Sequence, residues 1–182
     1  MSTCRNVVLA VTGASGACYA QRFLERAAML PDWQVHVFLT DTAREVWRFE
    51  LGCEPPRGLD NSRFDAPFCS GSAAADAMVV LPCSMGTLGR MAAGTAEDAI
   101  ARMADVQLKE RRPLILVPRE TPLNLIHLRN MTTLTEAGAV IMPANPGFYS
   151  RPADLPALVD AFVARIFQVA GLSDIDKQYK WQ

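Results

Sequence analysis

The stretch AMVVLPCSMGT, residues 77–87, decides the fold. Its first six residues are apolar with no polar alternate, so the strand they form is buried on both faces, as in a parallel sheet between helix layers. Past Pro82 the chain turns polar and small at Cys83-Ser84-Met85-Gly86-Thr87 and opens a helix from about Thr87. A strand that feeds a helix in this way is half of a βαβ unit. The same alternation extends both ways. Toward the N-terminus, a β-branched run over 5–12 ends in Gly13-Ala14-Ser15-Gly16 and a helix follows over 17–30; a strand over 34–40 leads into a helix over 42–50. Toward the C-terminus, the helix from Thr87 breaks near Gly94 and resumes over 97–112; then come a strand at 114–117, a helix at 122–137, a strand at 139–142 and a helix at 152–171. In that last helix Leu155, Leu158, Val159, Phe162, Ile166 and Val169 recur at helical spacing, and Pro156 sits in the first turn, where a missing N–H costs little.

The expectation is one α/β domain over residues 1–182: a three-layer Rossmann-like (flavodoxin-like) parallel sheet with helices on both faces. Residues 51–75 carry Gly, Pro, Ser and Asp without periodicity and read as a long, lid-like loop, and 172–182 as a C-terminal tail. A net charge of −1 gives no basic field for nucleic acid or anionic membrane. Apolar runs are strand-sized, no leader precedes them, and Cys4, Cys18, Cys53, Cys69 and Cys83 lack metal or disulfide spacing, which predicts free thiols in a cytoplasmic protein without a membrane span. With only His36 and His127, no His-rich metal site is expected.

Ligands of such sheets bind beyond the carboxyl ends of the strands. That rule selects Gly13–Gly16, Thr40, 82–87, Arg119-Glu120 and 144–149. Gly13-Ala14-Ser15-Gly16 is either a tight turn or a contact for phosphate or flavin at a helix N-terminus. It lacks the dinucleotide fingerprint, and no acidic residue ends the second strand, which disfavours NAD. Ser84 and Thr87 repeat the arrangement, as a plain N-cap or as two hydroxyls facing one anion. Arg102 and Lys109 share a helical face; Lys109 is alternatively a solvated helix end with an Asp105 partner four residues back. Arg119-Glu120 stands at a strand end after four apolar residues, where Arg119 could hold a phosphate and Glu120 act as acid or base. Tyr149 and Arg165 read equally as a loop-edge aromatic and a half-buried ion-pair member.

Together the segments VTGASGACYA, SGSAAADAMVVLPCSMGTLGRMAAG, ADVQLKERRPLILVPRETPLNLIHLRNM and EAGAVIMPANPGFY resemble the UbiX family of flavin prenyltransferases, in order and over most of the chain outside 51–69. The resemblance implies that Gly13, Ala14, Ser15, Thr40, Ser84, Met85, Gly86, Thr87 and Arg119 bind FMN. It also implies that Ser70, Arg102, Lys109, Glu120, Tyr149 and Arg165 bind the isoprenoid phosphate, some of them from neighbouring subunits of a homododecamer. Catalytic roles fall to Glu50, Ser15, Glu120 and Lys109. The implied reaction is metal-independent and joins dimethylallyl monophosphate to reduced FMN at N5 and C6, the product serving a UbiD-type decarboxylase. The chemistry suits the residues: loss of phosphate from an allyl group needs cations and donors at the leaving oxygen and a proton from a group such as Glu120.

Two regions depart from the family pattern. Residues 51–69 are short, with Phe64 in an aromatic lid position, and the tail is short, with Trp181 standing in for a C-terminal aromatic. Two other readings follow: an FMN-binding protein without transferase turnover, and a flavin-dependent cysteine decarboxylase. The second needs a catalytic His and a Pro-x-Met-Asn-x-x-Met-Trp segment, where this chain has Pro143-Ala144-Asn145-Pro146.

Overall fold

The computed structural model describes residues 4–172; Trp181 and the rest of the expected tail beyond Leu172 lie outside the described residues. Strands β1 (Arg5–Val11), β2 (Trp33–Leu39), β3 (Ala77–Cys83), β4 (Leu114–Pro118) and β5 (Val140–Ile141) alternate with helices α1 (Ala17–Ala27), α2 (Asp41–Leu51), α3 (Met85–Ala92), α4 (Ala99–Lys109), α5 (Leu125–Glu136) and α6 (Leu155–Val169). Every strand pair is parallel, in the order β2-β1-β3-β4-β5. The expected flavodoxin-like sheet is the one observed.

Strand pleating explains the two cores. Val7, Leu9 and Val11 point to one face and pack with Phe23 of α1 and with Phe162, Ile166 and Phe167 of α6. Val8 and Ala10 point to the other, with Leu88 of α3 and Ile100 and Met103 of α4. All seven positions of β3 are buried, which is why its sequence shows no alternation. The chain leaves β1 to build β2 on one side and returns to place β3 on the other. Strand order therefore reverses between β1 and β3, and Gly13–Gly16 and Ser84–Thr87 emerge side by side there.

Element boundaries moved where caps took over. The helix expected from Pro122 begins at Leu125 because Asn124 caps it, its side chain accepting from the His127 N–H at 2.8 Å. The helix expected from Thr87 begins at Met85, and α4 begins after the Asp98 cap rather than at Glu97. Residues 51–75 hold two short 3₁₀ turns, Pro67–Cys69 and Gly71–Ala73. The segment is pinned to the body: the Leu59 N–H donates to the Val37 carbonyl at 2.7 Å, Asn61 receives the N–H groups of Ala99 and Ile100, and Phe68 and Cys69 are buried. Among the described residues no helix is long and apolar enough to cross a membrane, and no cluster of His, Cys, Asp and Glu could hold a metal ion. The five cysteines are free thiols, as expected. Burial pushes the Cys83 thiol up to about 12, so it is an inert core group.

Candidate active site

The ends of β1 and β3 are tied together by Thr12, a buried residue to which the sequence reading gave no role. Its hydroxyl donates to the Pro82 carbonyl at 2.9 Å and accepts from the Ser84 N–H at 2.7 Å. That bridge sets the Gly13–Gly16 turn against the first turn of α3. Gly13 is required by the protein itself: a Cβ there would lie 2.6 Å from the Thr42 methyl at the start of α2. Gly16 has φ of 117°, a left-handed backbone that lets α1 begin abruptly.

The start of α1 is already occupied by an anion from within the chain. Glu50, at the end of α2, accepts the Gly16 N–H at 2.9 Å and the Ala17 N–H at 2.8 Å through Oε2, and the Ser15 hydroxyl also bonds to it. Partial burial pushes the Glu50 carboxyl up. The bonds from Ser15, Gly16 and Ala17 and the charge of Arg119 outweigh this, and the carboxyl ends below its usual range. Ser15 and Glu50 are thus joined at this helix start, within reach of the Arg119 charge, and Glu50 takes up the N–H groups of Gly16 and Ala17.

Two further helix starts open nearby. Thr40 caps α2, its hydroxyl accepting from the Ala43 N–H at 3.1 Å. Ser84 caps α3, accepting from the Thr87 N–H at 3.3 Å and donating to the Thr87 hydroxyl at 3.0 Å. A cavity of about 600 Å³ lies beside the start of α2, lined by Thr40, Thr42 and Arg44, and α3 reaches it through Arg90. The first-turn N–H groups of α2 and α3 have no acceptor within their own helices, so these starts suit a phosphate. Arg119 is fixed beside them by its N–H, which donates to the Cys83 carbonyl at 3.2 Å. Tyr19, also passed over in the sequence, packs edge-on to Phe162 with ring centroids 5.2 Å apart and feels the charge of Arg119. Its position three residues beyond Gly16 was the available signal.

The six residues expected at the isoprenoid phosphate divide into two groups. Glu120, Tyr149 and Arg165 belong to the segments around the carboxyl edge of the sheet. Glu120 is exposed at the end of β4, and Tyr149 and Arg165 line a cavity of about 350 Å³ with Met142, Asn145 and Phe162. Arg165 donates to Gln168 at 2.9 Å, so the ion pair considered for it is replaced by an amide contact. Ser70, Arg102 and Lys109 belong together along α4. Arg102 donates to the Cys69 carbonyl at 3.1 Å, and any Cβ at Gly71 would run into the Lys109 ammonium. Lys109 stands at the end of α4, a short turn before β4 starts, and therefore at the amino edge of the sheet. Within one chain the groups do not meet. Asp105 pairs with Arg102 at 2.5 Å rather than with Lys109, which pairs with Glu110.

Residues 1–167 match the flavoprotein family. The flavin prenyltransferase UbiX of Methanothermobacter thermautotrophicus is 42% identical over 181 residues, spanning 96% of this chain and 94% of the relative. The chain belongs to the UbiX family of flavin prenyltransferases. Among solved UbiX-family structures, AnUbiX (PadA1) in complex with FMN and dimethylallyl pyrophosphate superimposes with a TM-score of 0.91 at 38% identity, covering 98% of this chain and 97% of that one. A dodecameric FMN-dependent UbiX-like decarboxylase from Escherichia coli gives the same TM-score, 0.91, at 34% identity, covering 97% and 99%. FMN-dependent cysteine decarboxylases such as TvaF share the fold alone, at 22% identity and a TM-score of 0.55 over 75% of this chain and 88% of that one.

Proposed function

We propose that this chain is a flavin prenyltransferase that moves a dimethylallyl group from dimethylallyl phosphate to reduced FMN. The observation that carries the reading is the full-length match to the AnUbiX complex with FMN and dimethylallyl pyrophosphate. The donor set fits the flavin: two capped helix starts with spare N–H groups for its phosphate, and a glycine turn with Ser15 and Arg119 for the rest. When bound, reduced FMN supplies the N5 and C6 positions that take the five-carbon unit while phosphate leaves. Gly13, Ala14, Ser15, Thr40, Ser84, Met85, Gly86, Thr87 and Arg119 hold and orient it.

Arg102, Lys109 and Arg165, with the hydroxyls of Ser70 and Tyr149, stabilise the leaving phosphate, and Glu120 protonates it. Glu50, kept ionised and bonded to Ser15, accepts a proton at the α1 start. Because Lys109 and Glu120 lie at opposite edges of one sheet, a complete site requires a second copy of the chain. Exposed Leu125, Ile126, Phe49 and Phe148 supply apolar surface for such assembly, and we take the dodecamer of the Escherichia coli neighbour as its form. Phe64, exposed on the pinned 51–75 segment, is our candidate for the aromatic lid residue. We place the enzyme in the cytoplasm, where its free thiols persist, and a UbiD-type decarboxylase as the consumer of its product.

The test is anaerobic incubation with reduced FMN and dimethylallyl monophosphate, followed by mass spectrometry of the extracted flavin. A flavin heavier by one five-carbon unit is expected. Bound but unmodified FMN, with the pyrophosphate donor also tried, would leave a flavin-binding protein without transferase turnover.

A further inference from the structure

We propose that Arg90 is a positioning residue for the cofactor's phosphate ester, aiming the Thr87 hydroxyl at it and adding a guanidinium charge beside it. The inference rests on the FMN reading above and extends it to a side chain outside the set of residues assigned there. Arg90 lies on α3, one turn beyond Thr87, and its Nη2 donates to the Thr87 hydroxyl oxygen at 3.2 Å. The same oxygen accepts from the Ser84 hydroxyl at 3.0 Å. Two donors fill the two lone-pair directions of the Thr87 oxygen, so its single proton is directed away from both. Thr87 is 3% exposed, and a hydroxyl proton at such a site needs an acceptor.

The charges around the cavity favour a role for Arg90 if the acceptor is a phosphate. The Glu50 carboxylate already fills the start of α1, which leaves the starts of α2 and α3 and the cavity that Thr40 at the α2 start and Arg90 of α3 both line. That cavity carries Asp41, Asp60, Glu97 and Asp98 against two cations, Arg44 and Arg90. A dianion is favoured there only next to the guanidinium groups. Asp60 is spent on the N–H and hydroxyl of Ser62, and Asp98 caps α4 while its other oxygen stands 3.7 Å from Arg90 Nη2. Asp98 therefore holds Arg90 in place over the first turn of α3.

Riboflavin has the ring and ribityl chain of FMN without the phosphate, so it separates a phosphate role from a structural one. Dissociation constants for both flavins would be measured by fluorescence quenching for the wild-type chain, Arg90→Gln and Arg90→Lys. Loss of a charge-assisted contact predicts that Arg90→Gln weakens FMN by about tenfold or more while riboflavin stays within about twofold. Arg90→Lys, which keeps the charge, should recover part of the FMN affinity. Equal weakening of both flavins, or FMN binding unchanged in Arg90→Gln, would overturn the inference. A wild-type chain that binds neither flavin would instead remove the cofactor reading, and this inference with it.

Discussion

The Glu50 carboxylate caps the helix that begins at Ala17, accepting the Ala17 N–H at 2.8 Å across a separation of 33 residues. This bond joins the end of α2 to the start of α1 and places a fixed negative charge where the helix dipole is positive. It couples a residue with a proposed proton role to the stability of the domain.

That coupling predicts an acid-dependent stability term. The folded carboxyl is shifted down from a reference of 4.5, so its contribution is present above that reference and is lost as pH falls through the lower folded value. Glu50→Gln should therefore melt below wild type near neutral pH, and the gap should close as pH falls below about 4.5. For an exposed carboxylate at a helix start the gap is worth up to about 1 kcal/mol, after allowance for solvent screening. Thermal melts of both proteins across that pH range test it, and a gap independent of pH would contradict it.

Gly13→Ala should destabilise the fold without any ligand present. The added Cβ meets the Thr42 side chain at 2.6 and 2.7 Å, so either that side chain or the backbone of the turn must shift. Overpacking of this kind costs about 1–3 kcal/mol. In a chain of this size each kcal/mol lowers Tm by about 2–4 °C. An unchanged melting temperature in the ligand-free protein would show that the glycine serves only ligand approach.

Thr12→Val keeps the shape of a buried side chain but leaves the Ser84 N–H and the Pro82 carbonyl without their shared hydroxyl. The expected cost is about 1–3 kcal/mol, read as a lower urea midpoint at unchanged slope. FMN affinity should fall as well, because the hydroxyl sets the distance between the glycine turn and the start of α3.

Glu120→Gln should bind FMN as wild type does and lose about a hundredfold or more in prenyl transfer, as expected for removal of a general acid. If Lys109 serves a site whose Glu120 belongs to another copy, co-expressed Lys109→Ala and Glu120→Gln chains should form mixed oligomers with activity that neither parent has. Single-turnover assays anchored by mass spectrometry of the flavin would read both outcomes. An absence of complementation in verified mixed oligomers would place the two residues in one chain's site.

Much of this protein is legible in its sequence. The unbroken apolar run from Ala77 announced a strand buried on both faces, and the sheet buries every position of it. The small and hydroxyl residues after β1 and β3 marked the edge where strand order reverses. Boundaries were less secure: Pro122 reads as a helix opener, but Asn124 holds the cap because its side chain reaches the His127 N–H. Arg90 stayed hidden because an arginine on a helix usually faces water, and only the cavity beside α3 shows what it meets.

By itself the sequence determined the order of elements, the parallel sheet and the family. Those depend on local periodicity and on motifs contiguous in the chain, which survive without knowledge of what packs where. The tertiary structure alone decided that Glu50 fills the start of α1, that Thr12 bridges two strand ends, and that Lys109 and Glu120 lie at opposite edges of the sheet. Each depends on contacts or placement between residues far apart in the chain, and sequence spacing carries no information about distance once the chain has folded back on itself.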